Sequence, residues 1–304
     1  MRLTISFFPC VLFILGIASA QAQVNINLEF DSVYGNNGRG MAYGGKAELN
    51  ALKRWGSHYF IAGRASYLRR RDATSDVDDL WAQVGTDTVA FKLGKLEAAD
   101  LFPLVRDALV ENAGETGYRA RTLRGRAKNV FHGVFNLTMG GGLGFELGLI
   151  ETHNETLNKG LRPVVTYSNG PWSVAAGWEA IRYGNGAGRG FQARSGAGLS
   201  AGYKLGSWKL TGSAGSGKTR IGDAAHSGVV TLNHDAGFTV GLIQDTTRLP
   251  IGSSKSTAVY AAYTVPFFDL RGATATLAAS AAKAGGINTA ANANGLKLRL
   301  NYGF

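Results

Sequence analysis

At 304 residues, with a net charge of +11 and 43 glycines against six prolines, the chain is too glycine-rich for a helical protein and lacks the three-residue repeat of collagen. Its one cysteine is Cys10, so no disulfide closes the rest, and beyond residue 22 no run of 18 apolar residues exists, which excludes a helical membrane protein. The basic residues are scattered one per segment rather than gathered on a helix, which argues against nucleic acid as a partner.

The first segment reads as a secretory signal. Met1-Arg2 gives a positive start, Phe7 to Ile17 an apolar run too short to span a bilayer, and Ala18-Ser19-Ala20 and Ala20-Gln21-Ala22 are small-x-small cleavage sites. Residues 1–22 are therefore expected to be removed, leaving 23–304 as one domain. An exported chain without disulfides needs another way to close its structure, and a sheet closed on itself has no free edge.

From residue 24 onward the dominant pattern has period two. Val24, Ile26, Leu28 and Phe30 alternate with Asn25, Asn27, Glu29 and Asp31; Leu143, Phe145, Leu147 and Leu149 alternate with Gly144, Glu146 and Gly148. Trp172, Val174, Ala176 and Trp178 repeat the pattern, and Leu296, Leu298, Leu300, Tyr302 and Phe304 alternate with Lys297, Arg299, Asn301 and Gly303. In strands these sets face opposite sides of a sheet. Sixteen such segments are predicted: 24–34, 41–52, 58–68, 77–86, 88–96, 127–137, 142–152, 160–169, 172–182, 191–205, 208–218, 227–234, 237–248, 256–265, 270–281 and 295–304. The weakest, 77–86 and 227–234, leave a fourteen-stranded alternative open.

The connections alternate as well. Even-numbered segments end in tight turns such as Thr86-Asp87, Asn169-Gly170-Pro171, Gly206-Ser207 and His234-Asp235-Ala236. Odd-numbered ones end in longer joints, such as 69–76, 183–190 and 282–294. Short turns on one side, longer loops on the other and an even strand count describe an all-β, antiparallel transmembrane barrel of the bacterial outer membrane. One joint stands apart: Glu97 to Arg126, about 30 residues, contains Leu101-Phe102-Pro103 and five acids before a basic tail.

Signal, sixteen alternating segments, terminal Phe304, and a long third outer loop entered through Leu80-Trp81-Ala82-Gln83-Val84-Gly85 and Val89-Ala90-Phe91-Lys92-Leu93-Gly94-Lys95 together resemble the sixteen-stranded general and sugar-specific porins of Gram-negative bacteria. The resemblance implies a third loop folded into the lumen, a homotrimer, and Phe304 as part of the assembly signal read by the barrel-insertion machinery. The chain departs from the family in the loop, where Asp100-Leu101-Phe102-Pro103-Leu104 replaces a Pro-Glu-Phe-Gly-Gly motif, and in its otherwise short loops.

A porin sets a radius and a field and does no chemistry, so neither cofactor nor metal is expected. Strand parity turns Lys46, Arg64, Lys92, Arg126, Lys128, Arg162, Arg194, Lys204, Lys209, Lys297 and Arg299 inward, against fewer acids: Glu29, Asp31, Glu48, Glu146 and Glu179. This predicts passive diffusion of small hydrophilic solutes with a lean toward anions. The expected constriction opposes the loop acids Glu97, Asp100, Asp107, Glu111 and Glu115 to Arg106, Arg119, Arg121, Arg124 and Arg126; alternatively these groups pair among themselves and pin the loop. Phe60, Trp81, Phe102 and Tyr118 are candidates for stacking sugar rings, whereas Tyr59, Tyr167, Trp172, Trp208 and Tyr302 fit an interfacial girdle.

Two rivals follow. One is an oligosaccharide-specific porin, monomeric if fourteen-stranded. The other is a barrel enzyme acting on lipid, which needs a serine and a histidine facing outward; His132 and His226 have no obvious outward serine partner in the sequence. Gly212 to Thr219 matches the phosphate-loop pattern letter for letter, but a strand runs through it and no helix follows. Arg69-Arg70-Arg71 is expected to meet lipopolysaccharide at the outer rim.

Overall fold

The computed structural model describes residues 23–35, 40–104, 117–121, 124, 130–153, 157–183, 192–218, 224–249, 252–267, 270–286 and 291–304. Residues 1–22, read above as a secretory signal, and Arg106, Asp107, Glu111, Glu115, Arg126 and Lys128 lie outside them. The strands are β1 (Gln23–Gly35), β2 (Gly40–Trp55), β3 (Tyr59–Arg69), β4 (Ser75–Thr86), β5 (Val89–Lys95), β6 (Val130–Thr138), β7 (Leu143–His153), β8 (Leu157–Asn169), β9 (Trp172–Tyr183), β10 (Gln192–Leu205), β11 (Trp208–Lys218), β12 (Ala224–His234), β13 (Phe238–Leu249), β14 (Gly252–Pro266), β15 (Ala273–Gly286) and β16 (Ala291–Gly303). Each pairs antiparallel with its sequence neighbours, and β1 pairs with β16, closing the barrel. The fourteen-stranded alternative is overturned: the two weak segments are β4 and β12, each hydrogen-bonded on both sides.

Period two becomes the two faces of this wall. Val24, Leu28 and Phe30 on β1 and Leu296 and Leu298 on β16 are exposed on the outside, while Asp31, Val33 and Lys297 between them are buried toward the interior. A barrel that exposes an oily exterior and turns its charges inward is a transmembrane barrel of the outer-membrane type. Tyr59, Tyr167, Trp172, Trp208 and Tyr302 are exposed near the turn end, as a girdle requires. The turns close on residues that tolerate a left-handed backbone: Gly170 has φ +54° and Gly206 φ +56°, and neither would bring a Cβ within 4 Å of anything.

Some outer connections are shorter than expected. The last strands run further out, so the joint placed at 282–294 shrinks to 287–290. The outer part of β15 places Ala282 and Ala284 inward and Ala281 and Lys283 outward, and a strand without large oily residues on one face leaves no period to read.

Candidate functional site

The third loop enters the barrel, and wall residues chosen for that contact hold it there. Past β5, Leu96 and Ala98 are buried and Leu101 and Phe102 are fully buried. The Ala99 amide donates to Glu146 of β7 at 2.8 Å, and Arg162 of β8 donates to the Ala99 carbonyl at 2.7 Å. On the return leg the Tyr118 hydroxyl donates to Glu179 of β9, and Arg119 pairs with Asp245 of β13. Both described legs therefore lie on the inner wall between β7 and β13.

Glycine makes room for them. A Cβ at Gly196 would overlap the Tyr118 ring, one at Gly215 the Tyr118 carbonyl, and one at Gly198 would lie 2.7 Å from Ala120 and 2.9 Å from Leu101. Gly217 meets the same Tyr118 ring at 2.8 Å. Gly215 and Gly217 belong to the phosphate-loop lookalike, whose small residues make a floor for the loop backbone on strand β11.

The loop charges pair with one another and with the wall. Arg124 lies 3.2 Å from Glu97 and 3.0 Å from Asp100, and Arg121 lies 3.7 Å from Asp100. Backbone bonds join the two legs as well, from Ala98 N to Arg124 O at 2.7 Å. Arg121 also donates to the Phe102 carbonyl at 3.1 Å. Of the two arrangements open from sequence, this geometry is the pinning one for Glu97, Asp100, Arg119, Arg121 and Arg124. Arg162, fully buried, sits 3.6 Å from Glu146 and 3.8 Å from Glu179, so it supports the loop from beneath.

Elsewhere in the interior the acids are more numerous than parity suggested. A register shift between Ala65 and Tyr67 brings both Asp78 and Asp79 of β4 to Lys46, at 3.3 and 3.4 Å, beside Glu48 at 2.7 Å. Asp245 shares the inward parity of Ile243 and was also missed. Lys297 pairs with Asp31 and Arg299 with Glu29. Arg64 donates to Asn50 at 2.6 Å. Lys92 and Lys209 make no ion pair among the described residues; the Lys92 ammonium lies 4.5 Å over the Trp81 ring. Arg194 falls in β10 opposite Ile181.

The four candidate stacking aromatics do not form a line of open faces. Arg64 and Lys92 both cover Trp81, Arg54 lies 5.6 Å over Phe60, and Phe102 and Tyr118, on the loop itself, are buried against the wall. Below the loop, a cavity of about 370 Å³ is lined by Pro103, Tyr167, Val174 and Ala175 together with Ser173, Ser200, Lys209, Thr211 and Asn233, a mixed surface more apolar than polar. Arg69, Arg70 and Arg71 are all exposed. They border a cavity of about 380 Å³ with Asp31 and Lys297 at the mouth, where Arg71 reaches Asp31 at 3.9 Å. Beside them Asp72 accepts from the Thr74 hydroxyl and amide, which hold its carboxyl below the ordinary aspartate range.

One further expectation is corrected. His226 does have an outward serine across the ladder, because Ser216 of β11 is its register partner. No hydrogen bond joins the two among the described residues, so the pair lacks the contact that would activate a serine.

No known family profile matches the chain, and no curated protein sequence does. Solved structures do match. The anion-selective porin from Comamonas acidovorans has 14% identity and a TM-score of 0.70, covering 93% of this chain and 99% of its own. OmpF of Salmonella typhi in complex with daunomycin has 12% identity and a TM-score of 0.71, covering 93% and 97%. OmpT, an outer membrane protein of Vibrio cholerae in a trimer form, has 11% identity and a TM-score of 0.68, covering 93% and 99%. At such identities the likeness is one of fold: this chain has the sixteen-stranded architecture of outer-membrane porins and channels.

Proposed function

We propose that the chain is a passive porin of the bacterial outer membrane, admitting small hydrophilic solutes with a lean toward anions and performing no catalysis. One observation carries the reading: the third loop is fastened inside the barrel by its own ion pairs, while Lys92 and Lys209 remain in the interior without a carboxylate partner among the described residues. Interior acids are largely neutralised by the cations beside them, so these two lysines bias the residual field toward anions. The anion-selective barrel among the similar structures supports the lean, and the trimer form among them supports a homotrimer. Phe304 is read as part of the signal to the insertion machinery.

Single-channel recording in asymmetric potassium chloride tests this. The expected reversal potential favours chloride, and Lys92→Gln reduces that preference. A cation-selective wild-type channel would overturn the reading. A saturable block by oligosaccharides would favour sugar specificity instead.

A further inference from the structure

The exterior between β11 and β15 is unlike the rest of the lipid-facing belt. Residues paired across an antiparallel ladder share a face, so successive outward rows can be followed from strand to strand. The row Gly212, Val230, Leu242 and Val259 is apolar. The next row outward, Ala214, Gly228, Gln244, Thr257 and Lys283, turns polar, and the one beyond it is Ser216, His226, Thr246 and Lys255. Lys218 and Arg248, also exposed, stand further out on β11 and β13.

Two features make this a site. A groove of about 610 Å³ runs over Gly212, Ala214 and Gly228, walled by Leu199, Val230 and Leu242, with His226, Gln244 and Thr246 at its polar end. Around that end, Lys218, Arg248, Lys255 and Lys283 are exposed, and no outward-facing acid occurs on the described parts of β11–β15. On β7 and β8, by contrast, outward Lys159 is met by Glu151 at 3.7 Å.

We propose that this face docks a phosphorylated, multiply acylated glycolipid of the outer leaflet, of the lipid A type. An acyl chain lies in the glycine-floored groove, and phosphate groups meet His226 and the surrounding lysines and arginine. The chemistry is amphiphilic in the same order as the surface: oily below, hydroxyl and amide next, cationic at the top. A second copy of this chain is the poorer occupant, because packing this rim against another copy would bury cations that have no acids to meet. The solute reading above is independent of this inference.

Native mass spectrometry of the purified barrel in detergent, incubated with bis-phosphorylated lipid A or with phosphatidylglycerol, tests the proposal. Two variants are compared with wild type: R248Q/K255Q/K283Q, and G212L/G228L, whose added side chains point into open space. Wild type is expected to retain lipid A in preference to phosphatidylglycerol. The charge variant loses at least about tenfold in retention, since each membrane-facing cation is worth roughly a factor of five. The filled-groove variant also loses retention, while both keep wild-type conductance and so report a folded barrel. Equal retention by wild type and variants, or of the two lipids, would overturn the proposal. So would an oligomer mass that collapses only in the filled-groove variant without lipid, and so would release of free fatty acid.

Discussion

Tyr118 fastens the return leg of the third loop to the inner wall. Its ring lies where side chains at Gly196 and Gly217 would stand, and its hydroxyl bonds to fully buried Glu179. A valine at position 196 has nowhere to go but into that ring, so Gly196→Val should lift the return leg from the wall and raise single-channel conductance. Tyr118→Ala should remove the conflict, so that adding Gly196→Val to it changes conductance little; additive effects would mean that the two do not meet. Arg162 acts from the other leg. Its guanidinium is fully buried between Glu146 and Glu179 and holds the Ala99 carbonyl. Arg162→Leu leaves two carboxylates without their cation, a loss of about 3–5 kcal/mol for a buried pair broken on one side. Thermal unfolding followed by circular dichroism should register it as a lowered midpoint, with noisier channel current from the loosened loop.

At the scale of the strand, closure depends on the seam between β1 and β16. Phe304, just past β16, exchanges two backbone hydrogen bonds with Ile26, at 2.8 and 2.9 Å, and stacks near Tyr302 with ring centroids 5.3 Å apart. Deleting Phe304 removes both bonds, about 1 kcal/mol each, at the edge that must pair last. The folded, heat-modifiable band on a gel should lose intensity in the truncated chain, and Phe304→Ala, which keeps the backbone bonds, should retain more of it. The same elements explain what sequence could reveal. β1, β7, β9 and β16 carry oily residues on one face only, so period two exposed them and their inward charges directly. β4 resisted because a register shift beside Ala65 and Tyr67 puts adjacent Asp78 and Asp79 on the same lysine, breaking parity where the charge matters most. The role of Gly196, Gly198, Gly215 and Gly217 was hidden for a different reason. A glycine that yields space to a loop far away in sequence looks locally like any other small residue in a strand.

The whole molecule is a tube with a low-dielectric wall, and among the described residues its interior charges mostly pair with one another, which decides how selectivity should respond to salt and to substitution. Lys46 is shared by Glu48, Asp78 and Asp79 within 3.4 Å, so its charge contributes little to the field on a passing ion. Asp79→Asn removes one of those acids and should increase preference for chloride, whereas Lys92→Gln removes a cation that has no carboxylate partner among the described residues and should decrease it. The two changes act on one field from opposite sides, and their combination should return close to wild type. Both differences depend on unscreened charge reaching the conduction path. The screening length is about 10 Å at 0.1 M salt but falls to about 3 Å at 1 M. Reversal potentials of wild type and variants should therefore separate clearly in dilute salt and converge near 1 M. If they remained apart in concentrated salt, selectivity would have to come from ions binding in direct contact with a side chain rather than from the averaged field of the wall.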